Sequence, residues 1–362
     1  MKQFQVKRTG LTNAKVISND QAAPNIVDGE ISLRIERFGF SANNITYGIA
    51  GDTLGYWKFF KQLGVENTDW GILPVWGFAE VVESKTDGIE VGERLFGYFP
   101  PATHLVMQPV GIKEHILFDG CAHRAELPGG YNMYRRVNAE PGYNRDGDNL
   151  RMLLYPLYLT SFAIWDQLKE MSWYGAEQVL IISASAKTSI GLATALHDDK
   201  EAPKAVGLTS AGNADFVSGL SLYDEVVSYD QMVKDVKQVP TVIVDMAGNA
   251  ETLGMLHEHL GANIKKNIDV GITDWRGFGK DKRINRDSRE FFFAPARIQK
   301  RMKDWGADEF NKRSMDFIIS ASLASAKWLN LETLHGLDAL ETIFPDIRDG
   351  KISPDRGLII EM

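Results

Sequence analysis

The sequence predicts an α/β protein with a β-rich first part and a doubly wound parallel sheet in its second. Three observations carry that reading. Apolar runs in the first third alternate with polar residues in a two-residue period. After residue 150, wholly apolar strands alternate with helical stretches. A length of 362 residues also suggests roughly two domains, at about 150 residues each.

Taken in order, residues 30–36 (EISLRIE) and 78–83 (FAEVVE) have the alternation of half-buried strands. Asp87-Gly88, Val91-Gly92-Glu93 and Phe96-Gly97 punctuate them as turns, a pattern that suits an antiparallel barrel or sandwich. Residues 100–149 hold Pro100-Pro101, Pro128-Gly129-Gly130 and Pro141-Gly142. They read as a poorly regular excursion with a short helix near Met133.

Residues 157–169 read as a helix, 178–183 (QVLIIS) as a strand, 188–197 as a helix and 205–208 as a strand. A helix around 214–220, a strand at 225–227 and the wholly apolar strand 241–245 (TVIVD) follow. Apolar strands with helices between them indicate a parallel sheet covered on both faces. Residues 297–317 read as one helix, 339–344 as another, and 357–361 (GLIIE) as a last strand.

Composition narrows the function classes. The chain is 44% hydrophobic and 24% charged, as soluble globular proteins are. A single cysteine, Cys121, excludes an intrachain disulfide and any multi-cysteine metal site, and makes a reducing, cytoplasmic compartment the expectation. The 40 Lys+Arg against 48 Asp+Glu give a net charge of −8, which argues against a nucleic-acid binder. The opening MKQFQVKRTG lacks a signal-peptide core, and no apolar run reaches the length of a membrane helix.

In a βαβ unit the loop after the first strand presents a helix N-terminus whose free N–H groups and dipole can hold a diphosphate. Here that loop is Ala184-Ser185-Ala186-Lys187-Thr188-Ser189-Ile190-Gly191. It is rich in small residues but is not GxGxxG, and only Gly191 stands where the last glycine could. It also lacks the glycines of a P-loop, which removes a kinase or ATPase reading. A plain helix cap by Thr188 or Ser189 is the structural alternative. The next strand ends in Thr209-Ser210 with no acid to bind ribose hydroxyls. These hydroxyls, with Asn213 and Lys187, suit a 2′-phosphate, so NADP(H) is the expected dinucleotide.

The order of elements resembles the medium-chain dehydrogenase/reductase superfamily, in particular its zinc-free quinone-oxidoreductase-like branch and a poorly characterised subfamily within it. Asn44-Ile45-Thr46-Tyr47 is similar to the N-x-x-[DT]-Y stretch. Residues 73–82 and Gly92-Glu93-Arg94-Leu95-Phe96-Gly97 resemble the P-x-x-G…G-x-V-V…V-G-D-R-V-x-G segment. Leu159-Thr160-Ser161-Phe162 sits where the family has L-T-A-Y, and residues 175–191 where it has its cofactor loop. Residues 222–229 (LYDEVVSY), Val244-Asp245-Met246-Ala247-Gly248 and the C-terminal 349–360 stretch complete the series. The long insert and Phe291-Phe292-Phe293-Ala294-Pro295 are features of the subfamily.

The resemblance implies a GroES-like catalytic domain over 1–160 with the irregular insert 100–149. A Rossmann domain over 161–310 and a return to the first domain over 311–362 would follow. It also implies a homodimer and NADPH between the domains. Asn44 and Thr160 would touch the nicotinamide end, Tyr229 and Ser210 the adenosine phosphate, and Asn249 the nicotinamide ribose. The loop 184–190, Ala247 and Gly271 would complete the cofactor site, and Phe292 or Phe293 would wall the substrate side.

Zinc-using relatives need Cys, His and Glu ligands, but Asn43-Asn44 and Trp76-Gly77-Phe78 occupy those regions here. Cys121-x-His123 offers two ligands only, and His257-Glu258-His259 places its histidines on opposite sides of a helix, as surface or cap residues. No metal is expected. Hydride transfer leaves an oxyanion that needs a hydrogen-bond donor, and a neutral tyrosine can be that donor. Tyr47 and Tyr56 are the candidates, with core packing as their structural alternative.

Residues 274–303 carry ten basic against four acidic residues, within an acidic chain. They could capture an anionic, thioester-linked substrate, or simply form a solvated face. The expected function is an NADPH-dependent, metal-independent reductase of a quinone, enone or other activated double bond. The alternatives are a catalytically degenerate NADPH-binding protein and a trans-acting reductase of CoA- or carrier-linked chains. No nucleic acid or membrane partner is expected.

Overall fold

The computed structural model describes residues 1–19, 25–64, 69–271 and 281–362. The chain divides into two compact units, Met1–Leu153 with Trp328–Met362, and Leu154–Lys327.

The first unit opens with β1 (Lys2–Lys7) and β2 (Ala14–Ser18), followed by β3 (Ile31–Phe40) and α1 (Ala42–Ile49). Then come β4 (Trp70–Gly71), β5 (Val75–Ser84) and β6 (Arg94–Phe99). The apolar runs read as strands thus form β3 and β5, which pair antiparallel from Ile31↔Ser84 to Gly39↔Trp76.

The insert is more regular than its proline and glycine content suggests. It supplies β7 (His104–Met107), β8 (Pro109–Val110), β9 (Ile116–Asp119) and β10 (Met133–Arg136). The short helix expected near Met133 is therefore a strand. Local sequence lost to tertiary pairing, because β10 is sandwiched between β6 and β9 in antiparallel register. Gly97 makes that docking possible: a Cβ there would lie 2.3 Å from the Tyr134 ring.

Helix α2 (Asp148–Glu170) reaches back well before the expected start at 157, running through Pro156. The second unit then alternates strand and helix. In order these are β11 (Gln178–Ile182), α3 (Lys187–Asp198), β12 (Lys204–Thr209), α4 (Ala214–Gly219), β13 (Glu225–Ser228) and α5 (Met232–Asp235). They continue as β14 (Thr241–Asp245), α6 (Ala250–Leu260), β15 (Ile264–Asp269), β16 (Arg289–Phe291), α7 (Ala294–Trp305) and α8 (Ala307–Ser325). The order across this sheet is β13-β12-β11-β14-β15-β16, all parallel, with β11 and β14 side by side where the winding reverses. This is the dinucleotide-fold order with its switch point at β11.

Strand alternation explains why its strands read as unbroken apolar runs. Val179 and Ile181 enter one core cluster, while Leu180 and Ile182 enter the other, so both faces are buried.

The single helix expected over 297–317 is two, α7 and α8, broken at Gly306 with φ 85° and ψ 155°, a conformation open to glycine. The boundary expected at 311 falls inside α8. Phe310 and Phe317 of that helix pack on Phe162, and the chain rejoins the first unit at Trp328. There β17 (Asn330–His335), α9 (Gly336–Arg348) and β18 (Arg356–Glu361) add to the first unit. Strand β18 pairs with β3, and Phe344 of α9 meets Phe4 and Phe40 edge-on at 5.4 and 6.3 Å. Among the described residues, no helix is long and apolar enough to cross a membrane.

Candidate functional site

In the second unit, the loop after β11 turns at Ser183, whose φ of 64° is left-handed without a glycine. Such a conformation costs about 1 kcal/mol or more and persists only when neighbours hold it. Two tyrosines do so. The Ser183 N–H donates to the Tyr229 hydroxyl at 3.1 Å, and the Tyr223 hydroxyl donates to the Ala184 carbonyl at 2.8 Å. Asn213 Nδ2 reaches Ser185 Oγ at 3.1 Å, tying the loop to the segment after β12.

Helix α3 begins at Lys187 with Ala186 as its N-cap, so no side chain caps it and no acid lies in its first turn. The Ser189 hydroxyl is buried without a partner among the described residues. Ser161, not Thr188 or Ser189, is the hydroxyl that reaches this turn, donating to the Thr188 carbonyl at 2.7 Å. Helix-terminal N–H groups without a side-chain acceptor beside small residues fit a diphosphate. The end of β12 fits a 2′-phosphate: Thr209 is buried, Ser210 is exposed, and the first acid beyond is Asp215. Gly191 serves helix packing, since a Cβ there would meet Ser161 Oγ and the Tyr158 ring at 2.6 Å.

At the carboxyl ends of β14 and β15, Asp245 organises the next turns. Its Oδ1 accepts the Ala247 and Gly248 N–H groups at 2.8 and 2.9 Å, and its carbonyl accepts those of Val270 and Gly271. Gly271 lies so close to Met246 that a Cβ would be 2.2 Å from its carbonyl oxygen. Burial raises the Asp245 carboxyl to about 6 despite those amide bonds. Asn249 caps α6 through the Thr252 N–H at 2.8 Å. Thr160 bonds back to the Pro156 carbonyl at 2.9 Å within α2.

The first unit holds the tyrosines. Tyr47 on α1 and Tyr56 lie with ring centroids 4.7 Å apart, and Tyr98 of β6 meets Tyr47 edge-on at 5.7 Å. Tyr131, from the insert, tilts against Tyr98 at 4.7 Å. Burial pushes the Tyr47 phenol up to about 12, partly opposed by the neighbouring Trp76 and Asn43 side chains. Burial also raises Tyr56, Tyr98 and Tyr131, so all four are neutral donors near pH 7. Asn44 lies in the same helix as Tyr47, and its carboxamide completes a capping box. Oδ1 accepts the Ser41 N–H and Nδ2 donates to the Pro74 carbonyl, both at 2.8 Å.

The remaining candidates fall elsewhere. Phe292 belongs to the core of the second unit, and only Phe293 is partly exposed. Cys121 is half-buried, and His123 bonds the Phe59 carbonyl at 3.2 Å. His257 is buried rather than superficial, bonded to Asn267 Oδ1 and the Asn285 N–H; His259 bonds the Val236 carbonyl. Among the described residues, no group of three or more His, Cys, Asp or Glu is placed to hold a metal.

Residues 272–280 of the basic segment lie outside the described residues, and five of its described cations are paired within its own unit. Arg297 and Arg301 both bind Asp166 and Glu170, Lys300 binds Glu170 and Asp304, and Arg289 binds Asp269 at 2.8 Å. Arg283 binds Asp281 at 2.6 Å. Composition could not reveal this, because the partners at 166 and 170 lie more than a hundred residues upstream. Sequence reasoning also missed Tyr98, Tyr131, Tyr223 and Asp245. Of these, Asp245 stood inside a quoted motif, while the tyrosines carried no local signal.

A family model described as "Protein of unknown function (DUF2855)" matches residues 38–353. No curated protein matches the sequence. Among solved structures, CurA from Vibrio vulnificus in complex with NADPH aligns over 100% of this chain and 99% of its own, at 11% identity and a TM-score of 0.61. A mutant enoyl thioester reductase from Candida tropicalis aligns over 100% and 99%, at 10% identity and 0.56. The yhdH oxidoreductase from Salmonella enterica in complex with NADP aligns over 100% of both chains, at 11% identity and 0.53. The fold is thus the one the sequence resemblance implied, a β-rich unit with a Rossmann unit inserted in it.

Proposed function

We propose that this chain, which belongs to the family described as protein of unknown function (DUF2855), is an NADPH-dependent, metal-independent reductase of a quinone, enone or similarly activated double bond. The observation that carries the proposal is the start of α3. Its first turn has no side-chain cap and no acid, and the neighbouring strand end offers hydroxyls instead of a carboxylate. The complexes of CurA with NADPH and of the yhdH oxidoreductase with NADP support the choice of cofactor.

In this reading the loop 184–190 holds the diphosphate, and Ser210, Asn213 and Tyr229 lie on the adenosine side. Ala247, Asn249 and Gly271 border the nicotinamide side, with Thr160 and Phe293 of the same unit completing it. Bound NADPH would supply a hydride. The protein would supply a neutral phenol to the oxyanion that then develops. Tyr47 is suited to this because burial keeps its phenol protonated, so that its O–H is available as a donor. Tyr56 is the second donor.

Thermal shifts with NADPH against NADH, followed by turnover with a panel of quinones and enones, test the proposal. Stabilisation by NADPH together with its oxidation by one substrate class is expected. No stabilisation by either nucleotide overturns it, and stabilisation without turnover leaves a non-catalytic NADPH-binding protein. Crotonyl-CoA belongs in the panel because an enoyl thioester reductase shares the fold. The internal pairing of Arg283, Arg289, Arg297, Lys300 and Arg301 weakens this chain's own argument for such a substrate. A cytoplasmic homodimer belongs to the same reading, and light scattering checks the stoichiometry.

A further inference from the structure

We propose that the insert exists to deliver Tyr131 as a positioning residue for Tyr56, resting on the reading of Tyr47 and Tyr56 as the proton-donating pair. The two hydroxyls lie 2.9 Å apart, and the rings meet edge-on at 5.7 Å. Either oxygen can be the donor in such a pair. Only one proton lies between them, so when Tyr131 donates to Tyr56, the Tyr56 O–H is free to point at a substrate oxygen. Negative charge building on the Tyr56 oxygen is then met by an O–H already in place.

The insert is built to hold Tyr131 there. Arg124 is fully buried and donates to Asp119 at 2.7 Å, to the Tyr134 hydroxyl at 3.0 Å and to the Tyr131 carbonyl at 2.8 Å. Its guanidinium lies 4.8 Å from the centre of the Phe60 ring, within the aromatic neighbourhood of Tyr56. Asn132 Nδ2 closes the turn on the Arg124 carbonyl at 3.0 Å, and the Tyr134 hydroxyl donates to the Tyr98 carbonyl at 2.6 Å. A buried arginine costs much desolvation unless a carboxylate pairs with it, as Asp119 does here. That arrangement fixes one backbone carbonyl, and the side chain next to it is the one that reaches Tyr56.

The test labels position 56 with a fluorinated tyrosine and follows its fluorine resonance against pH in the full-length protein without nucleotide. In Tyr131→Phe, which keeps the ring and loses the hydroxyl, the ionisation midpoint is expected to rise by about 0.5 to 1 pH unit, the worth of one neutral hydrogen bond. If the first variant does not fold, a reciprocal label at 131 read in Tyr56→Phe decides instead: its midpoint is expected to fall, because Tyr131 loses the acceptor for its proton. Once a substrate is known, Tyr131→Phe should lower kcat about tenfold with the KM for NADPH unchanged. An unmoved midpoint in a folded variant overturns the proposal. It can do so independently of whether NADPH or any substrate is turned over, so this failure and that of the functional reading are distinguishable.

Discussion

Two regions of the second unit invite an anion for opposite reasons. Residues 281–303 are dense in lysine and arginine, whereas the start of α3 has one lysine among small, neutral residues. In the folded chain the dense charges are mostly committed: Arg297 and Arg301 clamp Asp166, and Lys300 bridges Glu170 and Asp304. The neutral start of α3 has no side-chain cap and no acid in its first turn, so its N–H groups keep no carboxylate of their own. Charge counted along a sequence is therefore not the charge a ligand meets. Oriented backbone N–H groups can outrank side chains that already have partners.

The sharpest way to break this comparison is to give α3 the cap it lacks. Ala186→Asp places a carboxylate where helices prefer one, so stability should hold or rise by about 1 kcal/mol. NADPH affinity should fall about 100-fold through repulsion of the diphosphate, measured by calorimetric titration. Unchanged affinity would remove the anion site from α3.

The converse variant, Arg297→Leu, strips one cation from Asp166. With the pair buried to 7% exposure on each side, the unfolding free energy from urea titration should drop by about 2 kcal/mol. The nucleotide dissociation constant should not move. A large loss of nucleotide affinity with intact stability would restore the basic segment as a ligand site.

Asp245 extends the comparison to a buried carboxylate bound only by amides among the hydrogen bonds described. Its folded-state value near 6 lies above that of an unfolded aspartate, so the native state holds the extra proton between about pH 4 and 6. Its contribution to stability is full below pH 4 and is lost as pH rises through 6. Asp245→Asn should flatten that part of the stability–pH curve and add about 1–2 kcal/mol at pH 7; a curve unaltered from pH 4 to 7 would contradict the assignment. The smallest effect is expected of Tyr229→Phe. It removes one hydrogen bond from the strained Ser183 and should weaken NADPH about fivefold.

Much of this architecture was legible in the chain. Unbroken apolar strands 178–183 and 241–245 indicated a sheet buried on both faces, because side chains of either parity had to be apolar. The loop after β11 was found by its place in the strand–helix order, not by its glycines. Failures came where a distant partner decided the outcome. Residues 133–136 look like a short helix until β6 and β9 flank them, and the stop signal of Gly306 was outweighed by the helix-forming run around it. Phe292 resembled a substrate wall but lies in the core.

By itself the sequence determined fold class, the alternation of strands and helices over 178–245 and the exclusion of multi-cysteine metal sites. All of these rest on local periodicity and composition, which short stretches carry. Tertiary structure alone decided which charges are free, which glycines permit close packing and which tyrosines meet. Those are facts about residues far apart in the chain: Arg297 with Asp166, Gly97 with Tyr134, and Tyr131 with Tyr56. Hydrogen bonds and ion pairs act over a few ångströms, so sequence distance says nothing about them until the chain has folded.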